Sequence, residues 1–225
     1  RMKTDWIDLY QVHTYDALTP LDETLRALDD LVRHGKVRYI GCSNHSGWHL
    51  MKALHAASSQ GRERYVSQQL AYSLLVRDIE FELVPVAADQ RVGTVVYSPL
   101  AGGVLSGKYR RDTERPKGSR FADGGLEATN WDRLDRILRV LDDLSAAKNA
   151  TVSQVALAWV LSRPTVANVL LGARDEQQLV DNLKAVDLRL SSEELTLLNE
   201  ASAPTVPYPY VHQRNWAKER IPHLT

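Results

Sequence analysis

The sequence predicts an α/β protein built on a parallel sheet, and three observations carry that prediction. Short apolar runs of strand length alternate with longer stretches whose apolar residues recur at helical spacing. Most links between them are short. No linker rich in Pro, Gly or Ser, no low-complexity tract and no fixed-period repeat divides the 225 residues, so a single domain over 1–225 is expected. The content is 44% apolar and 25% charged, enough to bury a core and too apolar for a disordered chain.

The elements follow in order. Trp6 through His13 crowds apolar and aromatic residues over one strand length and reads as a buried strand. Leu21, Leu25, Leu28 and Leu31-Val32 then mark an amphipathic helix with Gly35 as its stop. Val37–Gly41 is a strand, and Trp48 with Met51–Leu54 a helix ending near Gly61. Tyr65–Leu70 is the next short strand, followed by a helical stretch over Glu80–Gln90 that tolerates Pro85 with difficulty. Thr94–Tyr97 and Ala167–Leu171 complete five strands, each bounded by Gly or Pro. Between those two lie a Gly-rich basic loop from about Leu100 to Thr129 and helices over Trp131–Lys148 and Val152–Ser162, the latter capped by Thr151. A helix from Asp175 to about Lys184 and another starting at a Ser191-Ser192-Glu193-Glu194 capping box close the pattern. Periodicity leaves open whether the sheet is doubly wound or a β/α barrel.

Composition narrows the ligand. Twenty-eight Lys plus Arg balance 28 Asp plus Glu, so no global positive field holds nucleic acid or an anionic membrane surface, and a small molecule is the expected partner. Arg1–Trp6 lacks a signal-peptide core and no apolar run approaches the ~20 residues that span a bilayer. Cys42 is the only cysteine, which excludes an intramolecular disulfide and fits a cytoplasmic location.

Several motifs carry chemistry. Gly102 to Lys108 spells G-x-x-x-x-G-K, but Tyr109 replaces the hydroxyl that would hold magnesium, so the segment suits an anion without being a triphosphatase loop. Gly41-Cys42-Ser43-Asn44-His45 is near a nucleophile elbow, yet His45 stands in place of its last glycine. His45 and His49 have the spacing of a zinc pair, but Ser46 stands where a general base is needed, and two solvated histidines are the simpler reading. His13 ends a strand, where a parallel sheet places its ligand site. Ser43-Asn44, Gln69, Tyr97-Ser98 and Gly172-Ala173-Arg174 also close strands, and polar groups converging at one rim indicate a site.

With these residues in view, nearly the whole chain resembles the aldo-keto reductase family. Asp8–His13 matches the family's fourth strand, whose terminal histidine is catalytic. Gly41–Asn44 matches the fifth, in which Ser43 and Asn44 bond the nicotinamide carboxamide, a clamp completed by Gln69. Tyr97–Gly103 with Leu105–Lys108 matches the seventh strand and its phosphate loop. There Tyr97 stacks on nicotinamide, and Ser98, Leu100, Gly102, Leu105, Gly107 and Lys108 hold the cofactor's pyrophosphate side. Gly172, Arg174, Gln178 and Asn182 resemble the segment that binds the adenosine half. Arg174 facing a 2′-phosphate favours NADPH, with NADH possible because Gln178 stands where some relatives carry a second arginine.

The resemblance implies a (β/α)8 barrel to which this chain contributes strands four to eight, and an oxidoreductase that reduces aldehydes or ketones by hydride transfer from nicotinamide. It also implies that the tetrad's Tyr, Lys and Asp belong to an N-terminal third with no matching motif here. The chain is thus expected to be a fragment, inactive alone and completed by a missing segment or a complementing chain, since five barrel strands leave two edges open. The alternative is a non-catalytic cofactor-binding subunit resembling the β subunits of potassium channels. The tail aromatics Tyr208, Tyr210 and Trp216 either line the substrate pocket or pack outside it.

Overall fold

The computed structural model describes residues 3–127 and 129–216. Five strands, β1 (Ile7–Val12), β2 (Val37–Ser43), β3 (Ser67–Ala71), β4 (Gly93–Tyr97) and β5 (Val166–Val169), form one sheet. The helices are α1 (Leu21–Arg33), α2 (Gly47–Ser59), α3 (Leu83–Gln90), α4 (Trp131–Lys148), α5 (Val152–Leu161), α6 (Glu176–Leu183), α7 (Ser192–Ala201) and α8 (Tyr210–Trp216).

All pairs are parallel and the strand order is β1-β2-β3-β4-β5. A doubly wound sheet reverses its winding at a switch point, where strands distant in sequence become neighbours. Here every crossover advances by one strand in the same direction, as in a (β/α)8 barrel.

Local chemistry sets the helix ends. Thr151 accepts from the amide of Gln154 while the Gln154 side chain accepts from the Thr151 amide, and Ser191 and Glu194 do the same for α7. Pro85 is the third residue of α3, in the first turn, where a missing N–H costs no helical bond; a separate 3₁₀ turn at Asp78–Glu80 precedes it. The strand from Tyr65 begins two residues later than its apolar run, and that from Ala167 starts one residue earlier and ends at Val169.

The core has two parts. Leu25, Leu28, Leu50 and Leu54 of α1 and α2 pack on Ile40, Cys42 and Leu70 of the sheet. Leu134, Ile137, Leu138 and Trp159 of α4 and α5 pack on Val96 and on Val104 and Leu105 of the loop after β4. Burial raises the Cys42 thiol to about 12. These contacts cover one face of the sheet. Alternate residues Gln11, Ser43, Gln69 and Tyr97 point to the other.

The expectation of a buried first strand is corrected. β1 is an edge with a single neighbour, and Leu9 and Tyr10 are 36% and 41% exposed. A buried parallel strand needs a neighbour on each side as well as cover on each face; β1 lacks the second neighbour, which leaves Tyr10 open at the edge, and Leu9 lies on the helix-free face.

Candidate active site

Parallel strands present all their C-terminal ends at one rim, and the polar residues at those ends form a continuous network. Tyr97 donates its phenol proton to Asn44 Oδ1 at 2.9 Å. Asn44 Nδ2 donates to the backbone carbonyl of His13 and to Ser43 Oγ, both at 3.1 Å. Ser43 Oγ in turn donates to the backbone carbonyl of Gln69 at 2.9 Å. Gln69 Nε2 donates to Gln11 Oε1 at 2.9 Å, and Gln11 Nε2 to Ser67 Oγ at 3.3 Å. Asn44 (φ 54°) and Ser98 (φ 51°) both adopt left-handed backbone, which turns the chain sharply as β2 and β4 end.

His13 is exposed, one residue past β1, with its carbonyl held by Asn44. Ser43 is buried, whereas Gln69 and Tyr97 are half-buried, open to a ligand on the helix-free face.

A cleft of about 370 Å³ lies between the loop after β4 and the segment after β5. Ser98, Leu100, Gly102, Lys108, Gly172, Arg174 and Gln178 line it. Three other predicted residues lie elsewhere. Leu105 is fully buried in the core, Gly107 forms a left-handed turn at φ 79°, and Asn182 is buried on α6.

Sequence reasoning missed Arg120, which lines the cleft because the long loop folds back onto it. Arg174 Nη1 donates to the carbonyl of Gly118 at 3.1 Å, and the Phe121 amide donates to the buried Tyr109 hydroxyl at 3.3 Å. Gln11 and Ser67 were also missed, although Gln11 shares a strand face with His13 by its two-residue offset.

The cleft carries a chemistry suited to an anion, with Lys108, Arg120 and Arg174 on its wall. Among the described residues no carboxylate forms a salt bridge with Lys108, Arg120 or Arg174. A Cβ on Gly103, at φ 97°, would sit 3.2 Å from Lys108 Nζ, so this glycine keeps the ammonium's position open. Among the described residues no helix starts directly after Lys108, in keeping with the rejection of a triphosphatase loop.

The reading of His45 and His49 as solvated is corrected. His45 is 6% exposed, its Nδ1 bonds the carbonyl of Ser43 at 3.0 Å, and burial lowers its pKa. His49 stacks on Tyr15 with ring centroids 3.6 Å apart. Aromatic neighbours brought in by other elements, invisible to local spacing, cover both rings. Among the described residues no group of three His, Cys, Asp or Glu side chains is placed to hold a metal, nor is any helix long and apolar enough to cross a membrane. In the tail, Tyr210 stacks on Phe81 at 5.3 Å and donates to Glu82 at 2.8 Å, whereas Tyr208 and Trp216 are 82% and 79% exposed.

Comparison with known proteins places this arrangement. The chain is 41% identical over 200 residues to the uncharacterized oxidoreductase YrpG of Bacillus subtilis, covering 89% of this chain and 60% of the relative. It is 34% identical to a probable voltage-gated potassium channel subunit beta of Arabidopsis thaliana, over 84% of this chain and 58% of the relative. It is 32% identical to the NADH-specific methylglyoxal reductase of Escherichia coli, over 89% and 60%. The crystal structure of the thermostable aldo-keto reductase Tm1743 with the inhibitor epalrestat superposes with a TM-score of 0.70 at 31% identity, over 88% of this chain and 61% of that one. The chain thus spans 58–60% of the length of these curated relatives. The profile of the aldo/keto reductase family matches residues 1–203, and with it the strand order and the polar rim gain one explanation: the chain belongs to the aldo/keto reductase family.

Proposed function

We propose that this chain carries the cofactor site, and His13 of the catalytic site, of a cytoplasmic NADPH-dependent reductase of aldehydes or ketones. The observation that carries the reading is the continuity of two features at one rim: the Tyr97–Asn44–Ser43–Gln69 network and the cleft holding Lys108, Arg120 and Arg174. The first offers amide and hydroxyl groups suited to a carboxamide. The second offers uncompensated cations and glycine backbone suited to a pyrophosphate and a ribose phosphate. The donor set therefore fits a nicotinamide dinucleotide.

In this reading Ser43, Asn44 and Gln69 orient the carboxamide, and the Tyr97 ring supports one face of the nicotinamide. Ser98, Leu100, Gly102 and Lys108 hold the pyrophosphate, and Arg174 with Arg120 and Gln178 the adenosine half, including its 2′-phosphate. Leu105, Gly107 and Asn182 act from behind, by fixing the loop and α6. When bound, the reduced cofactor supplies a hydride to the carbonyl carbon. His13 orients the carbonyl oxygen by a hydrogen bond as negative charge develops there. The resemblance assigns the proton that this oxygen takes up to a Tyr–Lys–Asp set outside the motifs matched here.

β1–β5 correspond in this proposal to strands four to eight of the barrel, within one domain over 1–225. The consecutive parallel order and the partial span of the relatives support that assignment. A second reading, a cofactor-binding subunit without turnover, is favoured by the likeness to the Arabidopsis channel subunit. NADH is the competing cofactor, on the likeness to the NADH-specific relative.

Fluorescence titration of the full-length protein with NADPH and NADH, followed by turnover with a panel of aldehydes and ketones, tests the proposal. Tighter NADPH binding with turnover supports it. Tight binding without turnover selects the subunit reading, and no binding overturns both.

A further inference from the structure

We propose that Gln11 is a positioning residue of the nicotinamide site: it reaches across Gly41 and locks the side-chain amide of Gln69 so that Gln69 presents its oxygen to the carboxamide N–H. The inference rests on the cofactor reading above and extends it to a residue on a different strand.

The register brings the parts together. Gln11 of β1 pairs with Gly41 of β2, and Gly41 pairs with Ser67 of β3, so the three form one row across the sheet. Side chains two strands apart do not ordinarily meet, because the middle residue's side chain stands between them. Here it is missing. A Cβ on Gly41 would lie 2.3 Å from Ser67 Oγ and 3.2 Å from Gln11 Cγ. The gap lets Gln11 Nε2 donate to Ser67 Oγ at 3.3 Å and Gln11 Oε1 accept from Gln69 Nε2 at 2.9 Å. Gly41 is thus required for close approach.

The polarity of this chain has a consequence. A glutamine amide offers one acceptor oxygen and one NH₂ donor. Ser67 Oγ accepts a hydrogen bond from Gln11 Nε2, and Gln11 Oε1 accepts one from Gln69 Nε2, which commits the Gln69 NH₂. Among the described residues the Gln69 Oε1 atom has no hydrogen-bond donor of its own. It is the acceptor left for a ligand N–H. Were Gln69 flipped, its NH₂ would oppose the carboxamide NH₂, donor against donor.

The test uses two reduced dinucleotides, NADPH and its 3-acetylpyridine analogue, which keeps the carbonyl and replaces the amide NH₂ by methyl. Both are titrated against full-length wild type and variants by fluorescence, with unliganded thermal melts alongside. Gln11→Leu should weaken NADPH by about three- to tenfold and the analogue by less than about twofold, the loss of one hydrogen bond. Gln11→Glu, whose carboxylate still accepts from Gln69 Nε2 and can accept from Ser67, should bind NADPH within about twofold of wild type. If the leucine variant does not fold, Gln11→Met, which keeps the stem and drops both polar atoms, decides the same question. Equal weakening of both dinucleotides, or none, overturns the role of Gln11 while leaving the cofactor site standing. A wild-type protein that binds neither dinucleotide overturns the cofactor reading and this proposal with it.

Discussion

Tyr97 donates to Asn44 across 2.9 Å, tying the end of β4 to the end of β2 although β3 runs between them. The bond closes over the helix-free face and engages both ends of the Asn44 amide, with one bond accepted and two donated, leaving one lone pair of Oδ1 free for a ligand. Its left-handed backbone, φ 54°, is one that Asn tolerates better than most residues.

Asn44→Ala should therefore lose on two counts. Removing the amide unties His13, Ser43 and Tyr97 and should weaken nicotinamide cofactor binding about tenfold. The left-handed Ala and the unpaired Tyr97 hydroxyl should lower stability by about 1–2 kcal/mol. Asn44→Gly should recover part of the melting temperature and none of the binding, which separates backbone strain from the lost contacts.

Arg174 carries the expected cofactor preference. Arg174→Ala should raise the NADPH dissociation constant about ten- to a hundredfold, the range for one charge-assisted pair, with a loss of under about threefold for NADH. Equal losses in parallel titrations would remove the 2′-phosphate from its role, leaving the tie to the Gly118 carbonyl as its main function.

His13 is the only residue here proposed to touch the reacting carbonyl. His13→Ala in the full-length protein should lower turnover by roughly 10²–10⁴ with little change in cofactor binding, since Asn44 holds only its backbone carbonyl. A loss of less than about twofold in steady-state assays would exclude it from the chemistry.

Asp22 supplies a pH dependence that is independent of the site. Hydrogen bonds from Arg62 and Gln60, with Arg26 also in contact, draw its pKa from the ordinary 3.8 down to about 2. A carboxylate depressed on folding stabilises the fold above its unfolded pKa, and that contribution disappears as pH falls through the folded value. Asp22→Asn should thus melt below wild type near neutral pH, with the gap closing as the pH approaches 2. A constant gap in melts across that range would assign the effect to packing.

Much of this protein was legible in local sequence. The capping boxes at Thr151–Gln154 and Ser191–Glu194 are decided within one helical turn, and so are the apolar stripes of α1 and α4. The resemblance, carried by short segments such as Gly41–Asn44 and Tyr97–Gly103, already groups the rim residues. What it could not reach depends on pairs far apart in the chain. The edge position that exposes β1 and the burial of His45 beside Tyr15 and Tyr65 are properties of the assembled sheet and its neighbours. Arg120 reaches the cleft only because the loop is anchored at Tyr109 and Arg174. Gln11 meets Gln69, 58 positions away, because the register lays Gly41 between Gln11 and Ser67 and leaves the Gln11 side chain room to cross β2. By itself the sequence determined which segments become strands and helices and which polar residues end them, since those choices rest on near neighbours. Only the tertiary structure decided which of those residues touch, because a register of one residue more or less turns each side chain to the other face.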